Sequence, residues 1–193
     1  MTRHDRDQSE WLTRKRLIDP KLKSWGWTVT PFDSIPSADQ RGRYAIAEYP
    51  TANGPADYAL ALDGKVLGIV EAKKLTLGPQ NVLTQAERYA RGLPAGLFDF
   101  RGLRAPFLYS TNGEIIWFHD VRNPFSRSRK ISAFHTPAAL QELLSRDFDA
   151  SASSLIGNTQ WHPRLRPYQI EANQAVEQAI TRRERLMLLA MTR

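Results

Sequence analysis

The segment "GPADYALALDGKVLGIVEAKK", Gly54 to Lys74, constrains the fold more than any other stretch of the chain. Two apolar runs flank Asp63-Gly64, a strong short-range signal for a β-hairpin. Three ionisable residues interrupt strands otherwise built for burial: Asp57 opens the first run, and Glu71 and Lys73 close the second. Buried charge is costly unless it is paired or holds an ion. The hairpin is therefore the first place to look for chemistry, and Asp63 itself is explained by the turn.

Register decides whether Asp57 and Glu71 can cooperate. With a two-residue loop, Leu62 pairs with Lys65, Asp57 opposes Val70, and Glu71 points to the other face. With a bulged three-residue loop, Ala61 pairs with Lys65 and Asp57 opposes Ile69. Glu71 is then a diagonal neighbour on the same face, about 7–8 Å away at the backbone. Only that second register lets the two carboxylates share a hard cation, with Lys73 following on the same face. Mg²⁺ suits such a site because it takes oxygen ligands and is held by one or two carboxylates plus a substrate phosphate. The cation polarises a phosphodiester and activates water, and an adjacent lysine orients that water or stabilises charge at phosphorus. The competing interpretation is an exposed hairpin with solvated charges, which the apolar "VLGIV" disfavours.

Around the hairpin the chain reads as α/β. Residues 9–25 have helical spacing with a break at Asp19-Pro20, where Asp19 looks like a fresh N-cap. A short strand is expected at Arg43–Glu48, and a helix over 79–91 closed by Gly92. "RAPFLYSTNGEIIWFHD" is a second hairpin, "NPFSRSRK" a basic loop, and "TPAALQELLSRDF" a helix capped by Thr136. Residues 149–160 look like a linker, and Pro167 starts another helix. "RLMLLAM" has the continuous apolar character of a buried parallel strand, so 161–193 reads as the opening of a second domain.

Net charge is +7 and the pI is near 9.9, which favours an acidic polymer as partner, DNA or RNA first. The sequence contains no cysteine, excluding disulfides and thiolate metal sites and suiting a cytoplasmic location. No run of about 18 apolar residues suggests a membrane span. His4, His119, His135 and His162 are scattered without ligand spacing.

These residues resemble a known family. "GPAD…VEAKK" is similar to the Asp…Glu-x-Lys core of PD-(D/E)xK nucleases, specifically the N-terminal nuclease domain of the restriction (motor) subunit of type I restriction enzymes. "SEWLTRKRLIDPKLKSWGW" resembles the family's first helix, with Glu10 as a further acidic group at the metal. "QAERYA" supplies a Gln-x-x-x-Tyr element, Gln85 and Tyr89, "PFLYSTNGEIIWF" matches the following strand pair, and "LRPYQIEANQAV" resembles the lead-in to a superfamily-two helicase motor.

The resemblance implies a mixed sheet flanked by helices over 1–148, a linker at 149–160, and the truncated start of a RecA-like motor over 161–193. It implies Mg²⁺-dependent cleavage of double-stranded DNA, with Mn²⁺ as substitute, and partnership with methylase and specificity subunits. ATP and an adenine contact at Gln169 belong to the full-length motor; no G-x-x-x-x-G-K-S/T loop occurs in these residues. Gln85 and Tyr89, four apart, share one helix face, which either faces the hairpin or packs Tyr89 into the core. Two other functional readings stand beside this one: a non-catalytic DNA-binding or docking module of nuclease-like fold, and a methylase-independent anti-phage nuclease–helicase.

Overall fold

The computed structural model describes residues 11–34, 42–72, 83–123, 126–157, 162–184 and 186–190. It divides into two units, Met1–Leu144 and Ser145–Arg193.

The first unit is built on a mixed seven-stranded sheet whose strands lie in chain order: β1 (Thr28–Pro31), β2 (Arg43–Tyr49), β3 (Ala56–Leu62), β4 (Lys65–Ala72), β5 (Phe107–Thr111), β6 (Ile116–Asp120) and β7 (Arg129–Ile131). β1 runs parallel to β2 and β4 parallel to β5, and the other neighbours are antiparallel. The parallel β4–β5 step contains a crossover helix, α2 (Thr84–Arg91), as parallel pairing requires. β3 and β4 are the central strands and are buried along most of their length.

Both faces of the sheet are covered. On one, Tyr58, Leu60, Leu67, Val70, Phe107, Tyr109 and Phe118 pack with Ile18 and Leu22 of the first helix and with Leu140 of α3 (Pro137–Ser145). On the other, Ile46, Ala59, Ala61, Ile69 and Leu108 pack with Ala86, Tyr89 and Ala90 of α2. Thr136 caps α3 as expected, its Oγ1 accepting from the Ala139 N–H at 3.1 Å.

The first helix departs from expectation. Residues 11–13 are α-helical, Arg14–Ile18 form a π-helical turn, and the α-helix resumes as α1 (Asp19–Ser24). Asp19 is not a fresh N-cap. Its neighbour Ile18 is already helical, and the Asp19 carboxylate accepts instead from the Tyr58 hydroxyl at 2.5 Å and Lys15 Nζ at 3.0 Å. The break predicted at Asp19-Pro20 is instead a wider, π-helical turn that runs directly into α1, where Pro20 is the second residue.

The basic loop is also partly regular. Arg129 and Lys130 lie in edge strand β7 and sit over the Phe118 and Trp117 rings at 5.3 and 5.5 Å. Arg122 pairs with Asp120 at 2.7 Å and donates to the Leu144 carbonyl at 2.9 Å. Arg129 and Lys130 of the loop, and Arg122 just before it, are thus engaged within the fold.

In the second unit, the expected linker is helical. α4 (Phe148–Gly157) covers most of 149–160, started by Asp147, whose Oδ1 accepts from the Ala150 N–H at 2.9 Å. Alanines with an aspartate cap favour helix over coil. α5 (Pro167–Thr181) packs against α4. Residues 186–190 are not a buried strand: Leu186 and Leu188 are exposed, and no strand among the described residues lies beside them. A strand forms only against a neighbour. No helix among the described residues is long and apolar enough to cross a membrane.

Candidate active site

The hairpin adopts neither register anticipated above. Leu62 pairs with Lys65 across a two-residue turn, with Asp63 and Gly64 both at positive φ (49° and 76°), the signature of a type I′ turn. A bulge in β4 then inserts one extra residue: Ala61 pairs with Val66, but Leu60 pairs with Gly68. Beyond it Tyr58 opposes Val70, and continuing that register by one step sets Asp57 opposite Glu71. The two acids thus share a face through a mid-strand bulge, not through a bulged turn. Gly68 lets the bulge close, because a Cβ there would stand 3.2 Å from the Phe107 carbonyl of β5.

The result is a row across four strands: Glu48 on β2, Asp57 on β3, Glu71 on β4 and Ser110 on β5. Glu71 and Ser110 are buried, and Ser110 Oγ has no hydrogen-bond partner among the described residues. Asp57 Oδ2 accepts from the Ala72 N–H at 2.8 Å, closing the end of the ladder. The Glu71 side chain lies within hydrogen-bonding reach of Asp57. Burial pushes the Asp57 carboxyl above the usual carboxylate range, although the Ala72 N–H, Arg14 and the Glu71 contact pull it down.

Arg14 was not anticipated. Its guanidinium lies 3.0 Å from Asp57 Oδ1 and also pairs with Glu48 Oε1. Nothing in "TRKRLI" marks it, because a π-helical turn has no sequence signature comparable to a cap.

The α2 face carries the Gln-x-x-x-Tyr pair toward this row. Gln85 Nε2 donates to the Tyr89 hydroxyl at 2.9 Å, and the Tyr89 ring belongs to the core beneath the sheet. Burial raises the Tyr89 pKa; the Gln85 bond opposes this, and Glu71 and Asp57 add to it through their charge. Tyr89 therefore combines a packed ring with a hydroxyl in the field of both acids. The loop before β3 fixes α2 in place: the Ala52 N–H donates to the Gly92 carbonyl at 2.8 Å, and Asn53 Nδ2 to the Arg88 carbonyl at 2.7 Å.

Glu10 and Lys73 lie outside the described residues. Gln169 is placed in the second unit, where its Oε1 accepts from the Arg166 N–H at 2.9 Å as part of the α5 cap. His135 bonds the Tyr109 hydroxyl at 2.8 Å, and His119 the Ser126 carbonyl at 3.2 Å, so both serve packing. Among the described residues, no three His, Cys, Asp or Glu side chains are grouped to hold a metal ion. Two adjacent acids, one strained by burial, beside an orphaned hydroxyl still fit Mg²⁺, which keeps waters and takes substrate oxygens to complete its shell.

The acidic pair of β3 and β4 and the Gln85–Tyr89 pair of α2 thus meet on one face of a mixed α/β sheet. Residues 34–144 match the family model described as the second domain of the EcoKI type I restriction enzyme endonuclease subunit. The chain belongs to this family of type I restriction endonuclease subunits. It is 28% identical to the EcoKI endonuclease subunit of Escherichia coli (strain K12), a match covering 91% of this chain and 19% of that protein. The chain therefore spans about a fifth of that relative's length. It is also similar to a solved fragment assigned to an HsdR subunit of a type I restriction enzyme from Vibrio vulnificus YJ016. That match has 26% identity and a TM-score of 0.44, and covers 90% of this chain and 32% of that one.

Proposed function

We propose that the first unit is a Mg²⁺-dependent endonuclease domain of PD-(D/E)xK type, cutting double-stranded DNA within an ATP-driven type I restriction complex. The observation that carries this reading is the bulge in β4, which brings Asp57 and Glu71 side by side at the end of two buried strands. Membership of the restriction-subunit family supports the substrate.

In this reading Asp57 and Glu71 hold the cation, and Glu10 assists them. When bound, Mg²⁺ supplies Lewis acidity at the phosphodiester and lowers the pKa of the attacking water. Lys73 orients that water or stabilises charge developing at phosphorus. Gln85 fixes the Tyr89 hydroxyl, and the pair positions the acids and a phosphate oxygen. Methylase and specificity subunits supply the recognised sequence. The segment from 161 onward leads into a RecA-like motor, where Gln169 approaches the adenine of ATP. Such a complex works in the cytoplasm.

The test separates cutting from travelling. In a complex containing the full-length subunit, Lys73→Ala should abolish cleavage and leave ATP hydrolysis and translocation near normal. A folded Lys73→Ala protein that loses ATPase activity would assign the hairpin to the motor instead.

A further inference from the structure

The π-helical turn carries a cation onto the acidic row. The Asp19 N–H donates to the Arg14 carbonyl, closing the wide turn and setting the position of the Arg14 backbone. The residues after it are fixed from the opposite face of the sheet. Ile18 and Leu22 are fully buried, and Asp19 is held by the Tyr58 hydroxyl at 2.5 Å. From that anchor the Arg14 side chain, only 14% exposed, reaches Asp57 Oδ1 at 3.0 Å and Glu48 Oε1. Glu48 has a left-handed backbone, φ 55°, which persists in a non-glycine residue only where its surroundings hold it. Both Asp57 oxygens are therefore engaged, Oδ1 by a full positive charge and Oδ2 by the Ala72 N–H.

We propose that Arg14 is the resident counter-ion of the acidic site and competes with the divalent cation for Asp57. The inference rests on the metal reading above and adds the group that must yield when the cation arrives. A guanidinium and a divalent ion on one carboxylate oxygen repel strongly at such short range. Cation binding thus requires the Arg14–Asp57 contact to lengthen or break, with Glu48 retaining the arginine.

The test is a calorimetric titration of Mn²⁺ into the chain and into Arg14→Gln, with circular dichroism to check folding. Arg14→Gln is expected to bind Mn²⁺ at least about fivefold more tightly, because a competitor and a repelling charge are both removed. Wild-type binding with equal or weaker affinity in Arg14→Gln overturns the inference and leaves the metal reading intact. Failure of both proteins to bind Mn²⁺ removes both. If Arg14→Gln does not fold, Arg14→Lys replaces it. That variant lacks the fork that spans two carboxylates, so its affinity should exceed wild type, and an affinity at or below wild type overturns the inference.

Discussion

Asp57→Asn is expected to melt at a higher temperature than the unaltered chain at neutral pH without metal, and to gain nothing from added Mn²⁺. Burial holds the folded Asp57 carboxyl above its ordinary value of 3.8, outweighing the Ala72 N–H and Arg14. A carboxyl with a raised folded pKa contributes its full stability only below the unfolded value and loses it as pH rises through the folded value. Asparagine stays neutral and keeps the acceptor for Ala72. The melting difference should therefore be small near pH 4, open as pH rises, and level off above the folded pKa. Divalent cation reverses the order. A ligand at 100 times its Kd adds about 2.7 kcal/mol to the protein that binds it, and only the wild type should collect that gain. Thermal melts at several pH values, with and without Mn²⁺, check both halves. A variant that melts lower than wild type at neutral pH without metal would mean that Arg14 and Ala72 outweigh burial.

Tyr89→Ala should lower stability by about 3–5 kcal/mol, the usual cost of removing a buried aromatic ring. That is a large share of the total of about 5–15 kcal/mol for a typical domain. The ring belongs to the buried cluster between α2 and the sheet, which includes Ala59, Ile69 and Ala90. Tyr89→Phe should behave differently. It keeps the ring and removes the hydroxyl to which Gln85 donates at 2.9 Å, at a net cost of about 1 kcal/mol. Cleavage by the full complex should nonetheless fall strongly, since the hydroxyl lies in the field of Asp57 and Glu71. DNA affinity and its salt dependence should barely change, because counterion release comes from lysine and arginine. Normal cleavage by Tyr89→Phe, alongside an unstable Tyr89→Ala, would return Tyr89 to the core.

The elements that the sequence made legible are those with local physical signals. Asp63-Gly64 specified its turn through two positive φ values, Thr136 its cap, and Gly92 the end of α2. The acidic pair was legible in composition but not in register. Alternation normally reports register, and "VLGIV" is apolar on both faces, so nothing in its pattern marks a one-residue slip. The usable signal was Gly68, since an isolated glycine within a strand points to a bulge or a close backbone approach. Arg14 had no such signal: it reaches the site through a π-helical turn fixed by Asp19 and Tyr58, residues far apart in sequence. The helical α4 was hidden because small and polar residues also make linkers. What decided it was the Asp147 cap, whose effect depends on the conformation of the residues after it.

Asp57 and Glu71 are proposed to hold a divalent cation jointly. The most direct measurement is the enhancement of water proton relaxation as Mn²⁺ is titrated into the chain and into Glu71→Gln, both shown to be folded. A saturable single site is expected in the wild type and none in Glu71→Gln, because glutamine keeps the shape of the side chain and removes its charge. Equal affinity and enhancement in the two proteins would contradict it, and would move the cation, and the chemistry with it, away from the hairpin.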